Sequence, residues 1–213
     1  MKDLYIIGAG DTGREIVDLV RRINSFLKVP EWIVRGFIDD DESKLGCYLE
    51  GIPVLGSIEY INDLKSKAYV ICSVGNSKIK EELILRIDNK NVEFATLIDP
   101  SATICNGASI EEGSFVFPGV VLAINTKIGK HVYLSTNCSI GHDTVISDYS
   151  SVFPGVNVSG KVNVMNNTVL GTGAIIIQGL TIGSGVTIGA GSVVIRDIDQ
   201  PGVYVGSPVR RIK

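Results

Sequence analysis

The feature that most constrains this chain is an aliphatic side chain at every sixth position of its second half. Seventeen Ile, Leu or Val residues follow one another at this spacing without a break, from Ile98 to Val194. If about a third of all residues were aliphatic, such a run would arise by chance on the order of once in 10⁸ tries, so the chain contains a hexapeptide repeat. A helix is excluded, because six residues rotate by about 240° at 3.6 residues per turn and would spread the apolar positions around its surface.

The repeat predicts a triangular solenoid. Three hexapeptides form one coil of about 18 residues, and successive coils stack at roughly 4.8 Å, the spacing of parallel strands. The aliphatic side chains then form a ladder inside the coils. Because the repeat has no break between residues 98 and 194, no long loop leaves the coils. A ligand site on them therefore needs a wall from another subunit, from the N-terminal domain or from the C-terminal tail.

The first part of the chain has a different pattern, in which strands alternate with helices. The sequence predicts strands over residues 4–7, 33–40 and 69–74, and helices over residues 14–27 and 78–87. Such alternation is typical of a small parallel sheet with Rossmann-like winding. We therefore expect a Rossmann-like α/β domain over residues 1–97, followed by an all-β parallel solenoid with a C-terminal tail over residues 98–213.

A glycine-rich segment, Gly8-Ala9-Gly10-Asp11-Thr12-Gly13, separates the first predicted strand from the first helix. Backbone N–H groups in this context can cradle a phosphate. A dinucleotide site also needs a full-size sheet and an acidic residue about 20 positions further on, whereas Asp39 lies 26 residues past Gly13. The pattern favours a nucleotide-sugar diphosphate as ligand. The alternative is that the glycines serve only a tight turn and close helix packing.

Charge and hydropathy limit which binding partners and which cellular compartment we expect for this protein. A net charge of −3 gives no basic field, which argues against nucleic acid and anionic membranes as partners. No apolar run reaches the roughly 18 residues of a spanning helix, and the apolar start is too short for a signal peptide, so we expect a cytoplasmic protein. The cysteines lie far apart with no C-x-x-C pair, which fits reduced, mostly buried thiols: Cys47, Cys72, Cys105 and Cys138.

Both histidines of the chain fall within the repeat. His142 lies two residues past the aliphatic Ile140, near a predicted corner, and Asp143 follows it. An imidazole can take a proton near neutral pH, and an adjacent carboxylate can fix its tautomer. His142 is therefore a candidate general base, although polar side chains on a solenoid are often simply solvated. His131 has no acidic neighbour, and we expect it to be structural.

Several motifs together resemble the family of sialic acid O-acetyltransferases and UDP-amino-sugar N-acetyltransferases. The resemblance covers essentially the whole chain. It implies a left-handed β-helix, a homotrimer with acetyl-CoA clefts between subunits, and a sugar nucleotide held by the N-terminal domain. The motifs are Gly8-Ala9-Gly10, Gly36-Phe37-Ile38-Asp39-Asp40, Gly51-Ile52-Pro53-Val54-Leu55-Gly56, Ser73-Val74-Gly75-Asn76, the hexapeptides, Gly141-His142-Asp143 and Gly202-Val203-Tyr204-Val205-Gly206-Ser207-Pro208.

The resemblance also implies roles for single residues. His142 corresponds to the general base and Asp143 to its orienting partner. Two segments depart from the family pattern: Asp11-Thr12 stands where a Gly-His pair is common, and Ser151 stands where the cleft has a second histidine. The residues implied to bind coenzyme A are Ser151, Gly160, Thr172 and Ala190. Those implied to hold the nucleotide sugar are Gly10, Thr12, Asp39, Asp40, Gly75 and Asn76.

The function expected from the resemblance is acetylation of the amino group of a UDP-amino sugar, in surface glycan biosynthesis. The acetyl group comes directly from acetyl-CoA in a ternary complex, and no metal is required. One alternative is an O-acetyltransferase acting on a sugar hydroxyl or on sialic acid. Another is a non-catalytic scaffold or sugar-binding solenoid, against which the His142-Asp143 pair argues. A zinc enzyme like the trimeric β-helix carbonic anhydrases is disfavoured, because its site needs three histidines and the chain has two.

Overall fold

The computed structural model describes every residue from Met1 to Lys213 and divides into two compact units. The N-terminal unit is Met1–Pro100 and the coil unit is Ser101–Lys213. The boundary predicted after residue 97 lies three residues before this division. None of the helices has the length and apolar composition that crossing a bilayer requires.

The N-terminal unit is built around a six-stranded sheet in the order β3-β4-β2-β1-β5-β6. All neighbouring strands are parallel except the β3–β4 hairpin. The elements are β1 (Lys2–Ile7), α1 (Asp11–Phe26), β2 (Trp32–Ile38), a 3-10 turn (Glu42–Lys44), β3 (Tyr48–Leu49), β4 (Ile52–Gly56), α2 (Ile58–Asn62), β5 (Ala68–Cys72), α3 (Ser77–Leu85), β6 (Val92–Phe94) and β7 (Leu97–Ile98).

The core of this unit forms where the central strands meet one face of α1. Strand β1 is buried from Leu4 to Ile7, and the α1 residues Ile16 and Val20 are buried as well. The Rossmann-like alternation holds for β1, α1, β2, β5 and α3. The elements β3, β4, α2 and β6 do not follow from the sequence pattern, because they are short and β4 contains Pro53, which is unusual inside a strand.

The coil unit is a parallel β-helix whose very short strands form three sheets. Sheet 1 contains β10 (Phe115–Val116), β13 (Tyr133–Leu134), β16 (Ser151–Val152), β19 (Val169–Leu170) and β22 (Val186–Ile188), extended by β24 (Gly202–Val205) and β25 (Arg210–Arg211). Sheet 2 contains β8 (Thr103–Ile104), β11 (Val121–Leu122), β14 (Ser139–Ile140), β17 (Asn157–Val158), β20 (Ile175–Ile176) and β23 (Val193–Val194). Sheet 3 contains β9 (Ser109–Ile110), β12 (Lys127–Ile128), β15 (Val145–Ile146), β18 (Asn163–Val164) and β21 (Thr181–Ile182).

The predicted aliphatic ladder lies inside these coils. Strands pair in a register of 18 residues, as Ile140 with Val158, and the ladder positions from Val116 to Val194 are buried. The first positions differ: Ile98 belongs to the N-terminal unit, and Ile104 is 39% exposed. Ile104 lies on β8, the edge strand of sheet 2, so it has a ladder neighbour on one side only.

The coils turn at corners where the backbone adopts a left-handed conformation. The corner between sheets 2 and 3, which we call the histidine corner, carries residues 106–107, 124–125, 142–143, 160–161 and 178–179 in successive coils. Its second position has positive φ throughout, with glycine in two coils and other residues in three: Gly107, Asn125, Asp143, Lys161 and Gly179. The register therefore places side chains 18 residues apart directly above one another.

Candidate active site

His142 lies at the histidine corner, directly after strand β14. Its Nδ1 is 2.9 Å from Oδ2 of Asp143, and the two side chains are 46% and 44% exposed. Because an ionised carboxylate can only accept, Nδ1 carries the proton and donates it in this bond. The other ring nitrogen, Nε2, is then the atom that can accept a proton from a substrate.

The carboxylate of Asp143 is held from two sides. Besides the bond from His142, its Oδ1 accepts a hydrogen bond of 3.0 Å from Nδ2 of Asn125, one coil earlier. The hydrogen bond from His142, followed by that from Asn125, lowers the pKa of Asp143, and the charge of Lys161 contributes further. The side chain beside the imidazole is therefore an ionised, oriented carboxylate at neutral pH.

Gly160 lies one coil after His142 and provides the space for the imidazole. A Cβ atom at this position would lie 2.5 Å from Nε2 and 2.7 Å from Cε1 of His142. The backbone of Gly160 has no positive φ, so an alanine would meet no backbone strain there, but its methyl group would displace the imidazole. Besides its predicted place in a coenzyme A cleft, Gly160 therefore has a structural role, which is to leave room for the imidazole of His142.

A second group of predicted residues lies in the N-terminal unit, where β1, β2 and β5 end. A cavity of about 220 Å³ is lined there by the glycine loop, Asp39, Lys44, Ser73 and Val74. Gly13 is required by packing, since its Cβ would collide with the carbonyl oxygen of Gly8. Gly10 is different, because a Cβ there would meet no atom within 4 Å. Gly10 leaves open space at the N-terminus of α1, where backbone N–H groups can receive an anion.

Asp39 joins the glycine loop to the turn after β2. Its Oδ2 accepts hydrogen bonds from the backbone N–H of Ala9 at 2.8 Å and from Nζ of Lys44 at 2.9 Å, and its Oδ1 accepts one from the N–H of Asp41. Burial opposes the ionisation of Asp39, but these hydrogen bonds outweigh it and lower the pKa of the carboxyl. Asp39 therefore holds the glycine loop in place through Ala9 and keeps Lys44 beside the cavity.

Asp40 faces the other side of the strand end and is paired with an arginine. Arg86 forms an ion pair with Asp40 through both guanidinium Nη atoms, and its Nη2 also lies 3.2 Å from Glu59. Hydrogen bonds, the largest from Ser57, lower the pKa of Glu59 to about 2. Asp40 also borders an apolar pocket formed with Ile58, Val74, Ile79 and Leu83 among others. This strand end thus combines an apolar surface with fixed charges.

Similarity to known proteins identifies the family to which this chain belongs. The family model of the PglD N-terminal domain matches residues 3–87. GDP-perosamine N-acetyltransferase of Escherichia coli O157:H7 is 29% identical over 179 residues, which cover 84% of this chain and 80% of that protein. A protein of Schizosaccharomyces pombe assigned by name to the acetyltransferases is 30% identical over 141 residues, covering 64% of this chain and 68% of its own length.

The solved structures give the same result for the whole chain. The acetyltransferase domain of PglB from Neisseria gonorrhoeae, in complex with acetyl coenzyme A, superimposes with a TM-score of 0.87 and 27% identity over 99% of both chains. The chain belongs to the hexapeptide-repeat sugar acetyltransferases. This confirms the family, the acetyltransferase class and the fold predicted from the sequence, a Rossmann-like domain followed by a left-handed parallel β-helix.

The predicted coenzyme A residues of this acetyltransferase lie at different places on the coils. Gly160 is at the histidine corner, whereas Thr172 and Ala190 follow strands of sheet 1 and lie 18 residues apart, one above the other, with exposed side chains. Ser151 lies on β16 and has no exposed surface. Within one chain, only Gly160 of the four adjoins His142, and the coenzyme A contacts stay predictions.

The predicted sugar-nucleotide residues do converge, at the strand ends of the N-terminal unit. Gly10 and Thr12 line the same cavity as Asp39. Asn76 has a structural task, because its Oδ1 accepts from the N–H groups of Lys78 and Ile79 and caps α3. Gly75 precedes this cap and is partly exposed.

Three residues at these sites were missed by sequence analysis. Asn125 could have been found from the repeat, since it lies one 18-residue coil before Asp143. Lys44 and Arg86 had no such signal, because sheet topology and side-chain conformation bring them to Asp39 and Asp40.

The thiols and the possible metal ligands show no further reactive cluster. Burial raises the pKa of Cys72 to about 11 and that of Cys138 to about 12, so both are ordinary core thiols at neutral pH. His131 is 4% exposed and stacks on Tyr149 with ring centroids 5.3 Å apart. No group of three or more His, Cys, Asp and Glu side chains is arranged to hold a metal ion.

Proposed function

We propose that this acetyltransferase transfers the acetyl group of acetyl-CoA to an amino group of a nucleotide-linked sugar, with His142 as general base. The observation that carries the proposal is the His142–Asp143 pair, in which the carboxylate holds Nδ1–H and leaves Nε2 to accept a proton. The relative from Escherichia coli, named as an N-acetyltransferase of GDP-perosamine, supports an amino sugar as acceptor. Both UDP-linked and GDP-linked amino sugars are candidate acceptors.

The reaction needs one proton transfer in each direction. The amine nitrogen attacks the carbonyl carbon of the acetyl thioester while Nε2 of His142 takes a proton from the amine. The new C–N bond forms, the C–S bond breaks, and the leaving thiolate of coenzyme A takes the proton back from the imidazolium. Asp143 stays ionised throughout and stabilises the positive imidazolium by charge and hydrogen bond.

For the donor, we propose acetyl-CoA bound along the coils, with Gly160 leaving room beside the base. The PglB domain, which has the same fold, was crystallised with acetyl coenzyme A. Thr172 and Ala190 are exposed residues at another corner of the coils, and we propose that this corner lines the pantetheine arm from a neighbouring subunit.

For the acceptor, we propose that the sugar nucleotide binds at the strand ends of the N-terminal unit. Gly10 leaves the N-terminus of α1 open, and Lys44 adds a positive charge beside it. This cavity is therefore the proposed binding site of the diphosphate. The apolar surface of Ile58, Ile79 and Leu83 suits the nucleobase. Thr12 replaces the histidine common in the family and offers a hydroxyl to the phosphate.

We propose that the enzyme works as a homotrimer. The outer face of sheet 2 exposes aliphatic side chains that a monomer would leave in water: Val121, Ile175, Ile177 and Ile195 are each 40–50% exposed. His142 lies at the edge of the same sheet and is 46% exposed, so a neighbouring subunit on this face would supply the missing wall of the site. Light scattering should give three times the chain mass of 22.8 kDa, and a stable, active monomer would contradict the trimer.

The decisive experiment measures release of coenzyme A with a panel of acceptors. The panel contains UDP-linked and GDP-linked amino sugars, the corresponding hydroxyl sugars and free sialic acid. We expect turnover with a nucleotide-linked amino sugar and none with the hydroxyl analogue. Turnover with hydroxyl acceptors alone would establish an O-acetyltransferase, and no turnover with binding retained would establish a sugar-binding protein.

Acetyl-CoA is a cytoplasmic metabolite, and we propose the cytoplasm as the compartment.

A further inference from the structure

We propose that Asn125 is a positioning residue for the base and acts through the carboxylate of Asp143. The proposal rests on the proposed function, because it requires His142 to take the proton. Two hydrogen bonds in series connect one coil to the next. Nδ2 of Asn125 donates to Oδ1 of Asp143 at 3.0 Å, and Nδ1 of His142 donates to Oδ2 at 2.9 Å. Each carboxylate oxygen thus has its own partner.

The effect of the amide is to stop the carboxylate from rotating. The terminal torsion of an aspartate has a broad energy minimum, so a carboxylate with a single partner can turn. Asn125 holds Oδ1, and Oδ2 therefore stays directed at the imidazole. The imidazole in turn keeps the tautomer that has its proton on Nδ1 and its lone pair on Nε2. If Asp143 rotated, the ring could adopt the other tautomer, and the amine would lose its proton acceptor.

The fold alone does not require an asparagine at this position. The equivalent residues in other coils of the histidine corner include Gly107 and Gly179, which have the same left-handed backbone. Only Asn125 lies directly below Asp143, and only there does the column carry a side-chain amide. The titratable groups facing Asp143 are the imidazole of His142 beside it and Lys161 in the next coil, which acts through its positive charge. An aspartate in place of Asn125 would add a second negative charge against Asp143.

The test begins with Asn125→Gly, because glycine tolerates the φ of 58° at this corner. We expect kcat to fall about three- to tenfold, the range of an ordinary hydrogen bond, because exposure of the side chains weakens the bond to the charged carboxylate. KM for acetyl-CoA and for the nucleotide sugar should stay unchanged, because the proposed role of Asn125 is confined to the carboxylate of Asp143. Asn125→Asp, which keeps the shape and the backbone conformation but replaces the donor, should lose at least as much.

Asn167→Gly is the matched control. Asn167 has the same left-handed conformation, with φ of 60°, but it lies at the corner between sheets 3 and 1, away from the histidine corner and from the corner of Thr172 and Ala190. Both glycine variants should stay folded and melt cooperatively, and only Asn125→Gly should lose activity.

A double-mutant cycle separates positioning from a general structural effect. In an Asp143→Ala background, Asn125→Gly should cause no further loss of kcat, because the carboxylate through which it acts is gone. An equal loss in both backgrounds, or wild-type kcat in both Asn125 variants, would overturn the proposal. His142→Ala is measured first: if it keeps wild-type kcat, the proposed function itself is wrong, whereas an inactive His142→Ala with silent Asn125 variants refutes the positioning role alone.

Discussion

In the coil unit, the candidate catalytic groups are neighbours in sequence or lie one coil apart, whereas the candidate binding groups of the N-terminal unit come from loops and element ends that are distant in sequence. His142, Asp143, Asn125 and Gly160 meet because the repeat has a fixed register. Asp39 and Asp40 meet Lys44 and Arg86 because the sheet and its loops fold around them. The first arrangement leaves one nitrogen, Nε2 of His142, ready for chemistry. The second has its carboxylates already engaged and offers a shaped, charged surface.

This difference predicts that the two sites have separate functions, the chemical step at the histidine corner and nucleotide binding at the strand ends. Changes at the histidine corner should reduce kcat and leave the binding of the nucleotide sugar intact. Changes at the strand ends should weaken nucleotide binding and leave the chemical step intact. A variant that crosses this division would show that the two sites are not independent.

His142→Ala should have the largest effect. We expect kcat to fall by about 10²–10⁴ while the affinity for acetyl-CoA stays nearly unchanged, since a general base contributes roughly this factor. Steady-state kinetics and calorimetric titration with acetyl-CoA give the two quantities. With an amine acceptor, activity should partly return as the pH rises toward the pKa of the amine, whereas a hydroxyl acceptor should show no such return. Wild-type kcat in this variant would make the scaffold interpretation the better one.

Ile146→Ala should have the largest effect on folding. Ile146 is fully buried in the ladder, and its truncation should destabilise the protein by about 2–5 kcal/mol through lost burial and a cavity. Ile104→Ala is the matched control, because Ile104 occupies a ladder position but is 39% exposed, and it should cost clearly less. Equal melting temperatures for the two variants would mean that the ladder does not stabilise the coils by burial.

Gly160→Ala should reduce activity without unfolding the protein. The new methyl group would displace the imidazole of His142, a side chain that can move, and we expect kcat to fall by about 10–10² through misplacement of the base. Gly141→Ala provides the contrast, since its Cβ would collide with the backbone of Ser159 and Gly160, which cannot move without distorting two coils. Gly160→Ala should melt near the wild-type temperature, and Gly141→Ala well below it. Full activity in Gly160→Ala would contradict the placement of the base.

Asp39→Ala should have the smallest effect of these variants, and it should weaken substrate binding without slowing the reaction. We expect the Kd for the nucleotide sugar to rise about three- to tenfold with kcat unchanged, because Lys44 and the N–H of Ala9 lose their acceptor. Asp39→Asn should be milder, since an amide oxygen can still accept from Ala9. A lower kcat at saturating substrate would break the division between the two sites.

The same carboxyl gives a dependence of stability on pH. The folded state lowers the pKa of Asp39 below its ordinary 3.8, so its contribution to stability is present above 3.8 and is lost as the pH falls from there through the lowered pKa of the folded state. Wild type should therefore melt above Asp39→Ala at neutral pH, and the two melting temperatures should converge in acid. A difference that is independent of pH would indicate that the charge of Asp39 does not stabilise the loop.

Much of the coil unit can be predicted from the spacing of the repeat alone. Six-residue spacing predicts the coils, the buried positions and the corner that holds His142, because each depends on the distance along the chain alone. The same 18-residue spacing extends to Asn125 and Gly160, one coil on either side of the candidate pair His142–Asp143. In the N-terminal unit, the main strands and helices follow from apolar periodicity, but the short elements β3, β4, α2 and β6 do not, since a few residues carry too little pattern.

By itself, the sequence determined the solenoid, the Rossmann-like alternation and the pairing of His142 with an adjacent carboxylate, because these depend on local periodicity or on neighbouring residues. The tertiary structure decided which partners the polar groups have. Lys44 could have paired with any nearby carboxylate, yet the turn after β2 directs it to Asp39, and Arg86 reaches Asp40 across 46 residues of chain. Such pairings depend on strand order and side-chain rotamers, which act between residues that no spacing in the sequence relates.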